Sequence, residues 1–330
     1  MWFEKLTGFK EISHENVQNN IHIDEQTLVS TRNGKSYQFG ALEIVSLEEL
    51  RIQCEGTAVL GTLKISEIVA DIQDLHCDLN NNHALFQAAS QFNLLEMVDP
   101  FVTPEKGIAI YENDFTQGPA CAIACGAGTI YRNYFLPIAN ALGQTSSNQI
   151  DCLDAIGKEL NNEQLHLWEM KNGYALVHQN GLLAINKQLS HLNNSERERL
   201  KGKLKVGIQW NTEVTLIDEN QIVSQVYCSA LPVAYSQIDF FYWENFARII
   251  LEATYEASLC AAKINMEKGK SNKVFLTLVG GGAFGNDIDW ILESLIKAIE
   301  KFKNVPLAIK VVSYGTSNIL LKEALEKYNC

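Results

Sequence analysis

Residues 274 to 285, Val-Phe-Leu-Thr-Leu-Val-Gly-Gly-Gly-Ala-Phe-Gly, read as an apolar strand entering a glycine turn, and an amphipathic helix is predicted from about Asn286 to Phe302. Few folds accept that succession. It requires a strand whose C-terminal end meets a helix N-terminus, where backbone N–H groups and the positive helix end cradle an anion without needing a lysine. Gly280, Gly282 and Gly285 satisfy G-x-G-x-x-G literally, so the first candidate is an NAD-dependent oxidoreductase. Only about 45 residues follow Gly285, too few for the βα units that should come next. The strand predicted at Leu307–Tyr314 ends in Ser-Tyr-Gly, without the acid that would hold a ribose. Asn286 and Asp287 stand where a P-loop has its lysine and Ser/Thr.

The chain has 330 residues, 46% of them apolar, and suits one large elaborated domain. Its 27 basic and 39 acidic residues give a net charge of −12, which disfavours nucleic acid as a partner. A small anion held by backbone amides is compatible with that charge. Neither a secretory signal nor an apolar run of membrane-spanning length is visible, so a cytoplasmic protein without a membrane partner is expected. Delivery into a host cell by a signal of another kind stays open. Eight cysteines without a CxxC pair read as reduced thiols, and neither metal nor cofactor is expected. Cys121 and Cys125 read as small core residues on one helix face.

Short strands are predicted near Asn20–Ile23 and Ser36–Phe39, within an extension of residues 1–60 packed on a main domain of residues 61–330. Gly61–Leu75 alternates as one or two strands, and Ala84–Met97 has helical spacing. A second turn-to-helix junction lies at Asp114-Phe-Thr-Gln-Gly-Pro119, with Pro119 suited to the first turn of a helix running to Tyr134. A helix at Asp154–Leu160 precedes a predicted hairpin, Tyr174–His178 and Leu182–Asn186, turning on Asn180-Gly181. Strands at Val206–Trp210 and Ile222–Ala230 and a long helix, Asp239–Met266, lead to the strand at Val274–Val279.

Four segments together resemble the macrodomain layout: Val69-Ala-Asp-Ile72, Leu85-Phe-Gln-Ala-Ala-Ser90, Gln117-Gly-Pro-Ala120 and Gly281-Gly-Ala-Phe-Gly285. The run Gly282-Ala-Phe-Gly-Asn-Asp287 is also similar to a loop of poly(ADP-ribose) glycohydrolases. Within the superfamily, the chain most resembles the arginine-specific ADP-ribosyl hydrolases, a group that includes a Legionella effector. The resemblance covers residues 60 to 330 and implies a three-layer α/β/α sandwich with a mixed central sheet. It departs at Gln87, where common macrodomains have asparagine. The paired glutamates of the glycohydrolases' first loop are also missing, which points away from poly(ADP-ribose) chemistry.

The resemblance implies that Asp71 binds the adenine amino group with Ile72 beside it, and that Gln87 lines the site. Gln117 and Gly118 would hold one phosphate. Gly280, Gly281, Gly282, Ala283 and Gly285 would hold the other, with Phe284 against the distal ribose, Asn286 facing it and Tyr314 on adenine. Tyr314 also reads as a core residue, and Asp71 as an ordinary turn cap.

Cleaving an ADP-ribosyl bond passes through an oxocarbenium-like state at the ribose anomeric carbon, so a carboxylate must activate water or hold the leaving group. A carboxylate also orients a guanidinium fork. Asp287 is the first candidate and Asp114 the second, followed by Asp239 and Asp289. Asp287 equally suits a helix N-terminus. The implied function is removal of ADP-ribose from a mono-ADP-ribosylated protein, most simply from arginine, with no cofactor beyond the ADP-ribose ligand. The rival is a reader that binds ADP-ribose without cleaving anything.

Overall fold

A computed structural model describes residues 1–55 and 60–328. Seven strands form its main sheet: β1 (Ala41–Ser46), β2 (Lys64–Val69), β3 (Leu85–Ala89), β4 (Lys205–Glu213), β5 (Ile222–Cys228), β6 (Lys273–Leu276) and β7 (Ala308–Ser313), in spatial order β1-β4-β5-β3-β6-β7-β2. Strands β5, β3, β6, β7 and β2 run parallel, while β4 is antiparallel to both β5 and β1. The chain therefore leaves all five parallel strands at one edge of the sheet, where ligands of open α/β sheets bind.

Four helices matter most to that edge: α1 (Ile72–Cys77), α2 (Gln117–Ala124), α3 (Glu244–Glu267) and α4 (Ile288–Phe302). Consecutive residues of β3 show how the layers form, because strand side chains alternate between faces. Phe86 stacks on His76 of α1, with ring centroids 3.8 Å apart, whereas Gln87 donates to Ser258 of α3 at 2.8 Å. Helices thus cover both faces, giving the expected three-layer sandwich with a mixed sheet. Helix α4 buries Ile291, Leu295, Ala298, Ile299 and Phe302 at 3.6-residue spacing and packs on α3. Each large side chain buried there contributes about 1.5–3 kcal/mol.

Residues 41–54, assigned from sequence to the extension, instead supply the edge strand β1 and a helix, Leu47–Cys54, whose Leu47 and Leu50 enter the main core. Residues before 41 build a second apolar cluster, in which Phe3, Leu6, Val17 and Leu28 meet Ile108, Tyr111, Ile130 and Tyr134. The proposed boundary at 60 borders residues 56–59, and Cys330 also lies outside the described residues.

Several elements differ from expectation. Ala84–Met97 is not helical: Leu85–Ala89 is a strand buried on both faces, and a short apolar run of that kind matches either period. The hairpin turns on Asn172-Gly173 rather than Asn180-Gly181. Asn172 and Gly173 both take positive φ, 46° and 80°, as a two-residue hairpin loop requires. Asn180 and Gly181 instead lie in the first turn of the helix Gln179–His191, whose N-cap His178 accepts the Gly181 N–H through Nδ1 at 3.0 Å. The helix starting at Gln117 breaks at Cys125, resumes over Gly126–Ile130 and ends in a π turn at Tyr131–Phe135.

Candidate functional site

A cavity of about 960 Å³ opens at the C-terminal ends of the parallel strands. That is the upper end of the range for small-molecule sites. Ala70 and Asp71 follow β2, Ser90 and Gln91 follow β3, Ala230 follows β5, the glycine turn follows β6 and Tyr314 follows β7; all line it. The loop into α2 closes the remaining side.

The glycine turn is held from within. The Asn286 backbone N–H donates to the Gly280 carbonyl at 2.9 Å and its Nδ2 to the Leu231 carbonyl at 2.8 Å, while its buried Oδ1 has no partner. Gly280 has φ 81°, and a Cβ there would stand 2.6 Å from the Ala230 Cβ, so glycine is required on both counts. At Gly282 a Cβ would meet nothing within 4 Å, which leaves that backbone open to an approaching ligand.

Gln117 anchors the second loop. Its Oε1 accepts the Ala89 N–H at 2.9 Å and its Nε2 donates to the Gln87 carbonyl at 2.7 Å, adding a side-chain rung to the end of β3. This rung fixes the start of α2 against the sheet, where the first-turn N–H groups lack intrahelical partners. Gly118 is packed so closely that a Cβ would clash with the Ala89 carbonyl and come within 3.1 Å of the Glu96 Cγ.

Asp71 caps α1, its Oδ1 accepting the Gln73 N–H at 2.7 Å, and Ile72 beside it is buried; both line the cavity, as do Phe284 and the exposed Tyr314. Phe284 sits in an aromatic group, 5.3 Å from Tyr174 and 5.8 Å from Tyr235. Asp114 lines the cavity too, one oxygen accepting the Thr116 N–H at 2.9 Å.

Five sequence assignments do not match this geometry. Gln87 faces away, its side chain bonded to Ser258 and to the Thr277 N–H, because its place on β3 points it at α3. Gly285, with φ 65° and packed on Ala234, shapes the turn but does not line the cavity. Asp287 is the N-cap of α4, accepting the Asp289 N–H at 2.8 Å, and neither it nor the exposed Asp289 lines the cavity. Asp239 caps a short turn at Phe240–Tyr242 outside it.

The acid that sequence reading passed over is Glu96. Only 3% exposed, it lines the cavity, and neither carboxyl oxygen makes a well-formed hydrogen bond, although the Tyr111 hydroxyl lies close enough to favour the ionised form. Burial pushes the carboxyl up to about 8, against the pull of the Arg132 guanidinium. Its backbone N–H is tied to the Tyr111 hydroxyl at 3.0 Å. Leu94, two residues earlier, has φ 64°, a left-handed conformation unusual for leucine and a local source of strain. Behind that turn the buried Arg132 donates from Nε to the Leu94 carbonyl at 3.2 Å and lies over the Tyr227 ring, 3.5 Å from its centroid.

Among the described residues, the charged groups lining the cavity are Asp71, Glu96, Glu112 and Asp114, with no lysine, arginine or histidine. An anion bound there would be held by backbone amides and helix ends. Three of the four acids, Glu96, Glu112 and Asp114, come from the segments leading into α2. No cluster of metal-ligating side chains occurs among the described residues, and no described helix is long and apolar enough to cross a membrane.

No family model and no curated protein matches the chain. Solved structures do. The crystal structure of a poly(ADP-ribose) glycohydrolase from Thermomonospora curvata shares the fold with a TM-score of 0.50 at 13% identity, covering 95% of each chain. A poly(ADP-ribose) glycohydrolase from Deinococcus radiodurans in complex with ADP-ribose is similar over 88% of this chain and 96% of its own, at 12% identity and a TM-score of 0.47. At such identity the likeness is one of fold.

Proposed function

We propose that this protein is an ADP-ribosyl hydrolase that frees ADP-ribose from a mono-ADP-ribosylated protein, with arginine as the attachment point. The carrying observation is Glu96: a buried carboxyl without a well-formed hydrogen bond, beside two loops suited to a diphosphate. A reader module gains nothing from such a group, since its burial costs stability and it donates to no protein acceptor. A hydrolase uses a carboxyl that is still protonated near neutral pH as a general acid. The name of the Thermomonospora neighbour, poly(ADP-ribose) glycohydrolase, supports taking the diphosphate ligand as ADP-ribose.

In this reading the amides of Gly282 and Ala283 and those at the start of α2 hold the diphosphate, with adenine between Asp71 and Tyr314. The distal ribose then lies toward Phe284 and Glu96. As the bond from the anomeric carbon to the arginine nitrogen breaks, its electron pair stays with nitrogen and Glu96 supplies the proton. Water adds to the anomeric carbon and returns a proton to Glu96, giving ADP-ribose and an intact arginine. Asp114 faces the guanidinium, while Glu112 is held by the Trp2 N–H at 3.0 Å, and a lining without basic side chains suits a positively charged leaving group better than a further ADP-ribose unit.

The test is release of ADP-ribose from an arginine-linked substrate by the wild type and by Glu96→Gln. Turnover lost with ADP-ribose binding retained fits the proposal. Binding without turnover in the wild type on every linkage would leave only the reader.

A further inference from the structure

Around the acidic end of the cavity lies an apolar rim that binding of ADP-ribose alone does not need. Phe115 is 89% exposed, Val98 55% and Phe101 73%; Val98 and Phe115 line the cavity, and Phe101 follows Val98 on the same loop. These loops are not floppy. The Tyr174 hydroxyl donates to the Met97 carbonyl at 2.6 Å, Asn172 donates to the Pro100 carbonyl at 2.8 Å, and Asp99 and Asp114 accept the N–H groups of Phe101 and Thr116. Large apolar groups held out in water beside a ligand cavity mark a contact surface.

Charge specifies the partner. Asp99 lies between Val98 and Phe101 and Asp114 directly precedes Phe115, and Asp114 and the buried Glu96 both line the cavity. Lys171 already sits over the Phe101 ring at 4.0 Å, showing that this ring accepts a cation on its face. Phe115 offers an equivalent face next to Asp114. The whole chain carries a net charge of −12, so a polyanion is repelled at long range and a basic segment is drawn in.

We infer that this rim docks a basic stretch of polypeptide flanking the ADP-ribosylated side chain, lysines and arginines lying over the aromatic faces and against Asp99 and Asp114. The substrate is then a cationic protein surface, and poly(ADP-ribose) chains are excluded by charge. This inference rests on the proposed hydrolase activity.

The test compares kcat/KM for a free ADP-ribosyl-arginine conjugate, for arginine-linked peptides flanked by lysines, alanines or glutamates, and for poly(ADP-ribose). The lysine-flanked peptide is expected to exceed the alanine-flanked one about tenfold at low salt, and the advantage should shrink as the Debye length falls toward ~10 Å at 0.1 M. The double variant Asp99→Asn/Phe101→Ser should remove that advantage while leaving the free conjugate unchanged. Hydrolysis with equal kcat/KM for all flanks, a glutamate preference, or faster cleavage of poly(ADP-ribose) overturns the docking inference alone. No hydrolysis of any of these removes both it and the reading on which it rests.

Discussion

Replacing Glu96 by glutamine removes the proton and keeps the shape. The folded carboxyl sits at about 8 against an ordinary 4.5, and tenfold in proton affinity is about 1.4 kcal/mol, so the neutral form is favoured by about 5 kcal/mol. The sign comes from linkage. Below pH 4.5 the carboxyl is protonated in both states and its burial is tolerated; between pH 4.5 and 8 only the unfolded chain ionises, so stability is lost progressively as pH rises. The groups facing it, Arg132 and Tyr111, which favour the ionised form, and Asp114, which opposes it, act on the carboxylate charge and are already contained in that value. Glutamine escapes the titration but buries an amide N–H₂ without an acceptor, at about 1–3 kcal/mol. Urea unfolding across pH should therefore give crossing curves: Glu96→Gln less stable than wild type near pH 4.5 and more stable near pH 8. Turnover should fall by about 10²–10⁴, and the alkaline fall in wild-type kcat/KM near pH 8 should disappear. Parallel stability curves would refute the buried-acid argument, and turnover within about tenfold of wild type would refute its chemical role.

Gly280→Ala forces a Cβ toward Ala230 at positive φ and should cost about 1–3 kcal/mol in stability together with most ADP-ribose affinity by calorimetry, whereas Gly282→Ala, with nothing within 4 Å, should weaken binding without changing unfolding. Asp287→Ala should lower stability by about 1 kcal/mol through loss of the α4 cap and keep turnover, since its carboxylate does not line the cavity. Asp71→Ala should weaken ADP-ribose binding while leaving kcat within a few-fold, because Asp71 follows β2, three strands along the sheet from β3, which leads to Glu96.

The strand–turn–helix at 273–302 was legible because glycine, apolar run and amphipathic period all speak of local backbone. Gly280 and Gly118 are needed for conformation or close approach, and the residue type says so. Gln87 was misplaced because its face depends on the strand's neighbours, which only the sheet order reveals. The two Asn-Gly pairs are indistinguishable locally, and the residues C-terminal to each pair decide between them: Tyr174–Val177 pairs back on Trp168–Lys171, while Leu182, Ile185 and Leu189 repeat at helical spacing. Glu96 was hidden most deeply. It was read on a helix that is in fact a buried strand and a strained turn, so it registered as one position in a helical pattern. A single carboxylate within an apolar run, Leu-Leu-Glu-Met, was the available signal, since such a group is buried only with a reason.

Central to the account is cleavage of an arginine-linked ADP-ribosyl bond by this site. The direct measurement is ADP-ribose released from matched substrates differing only in linkage (arginine, glutamate, serine and poly(ADP-ribose)) by wild type and by Glu96→Gln. The account predicts release from the arginine linkage by wild type and its loss in the variant, with ADP-ribose still bound by both. Tight ADP-ribose binding with no release from any linkage, or unchanged release by Glu96→Gln, would contradict it.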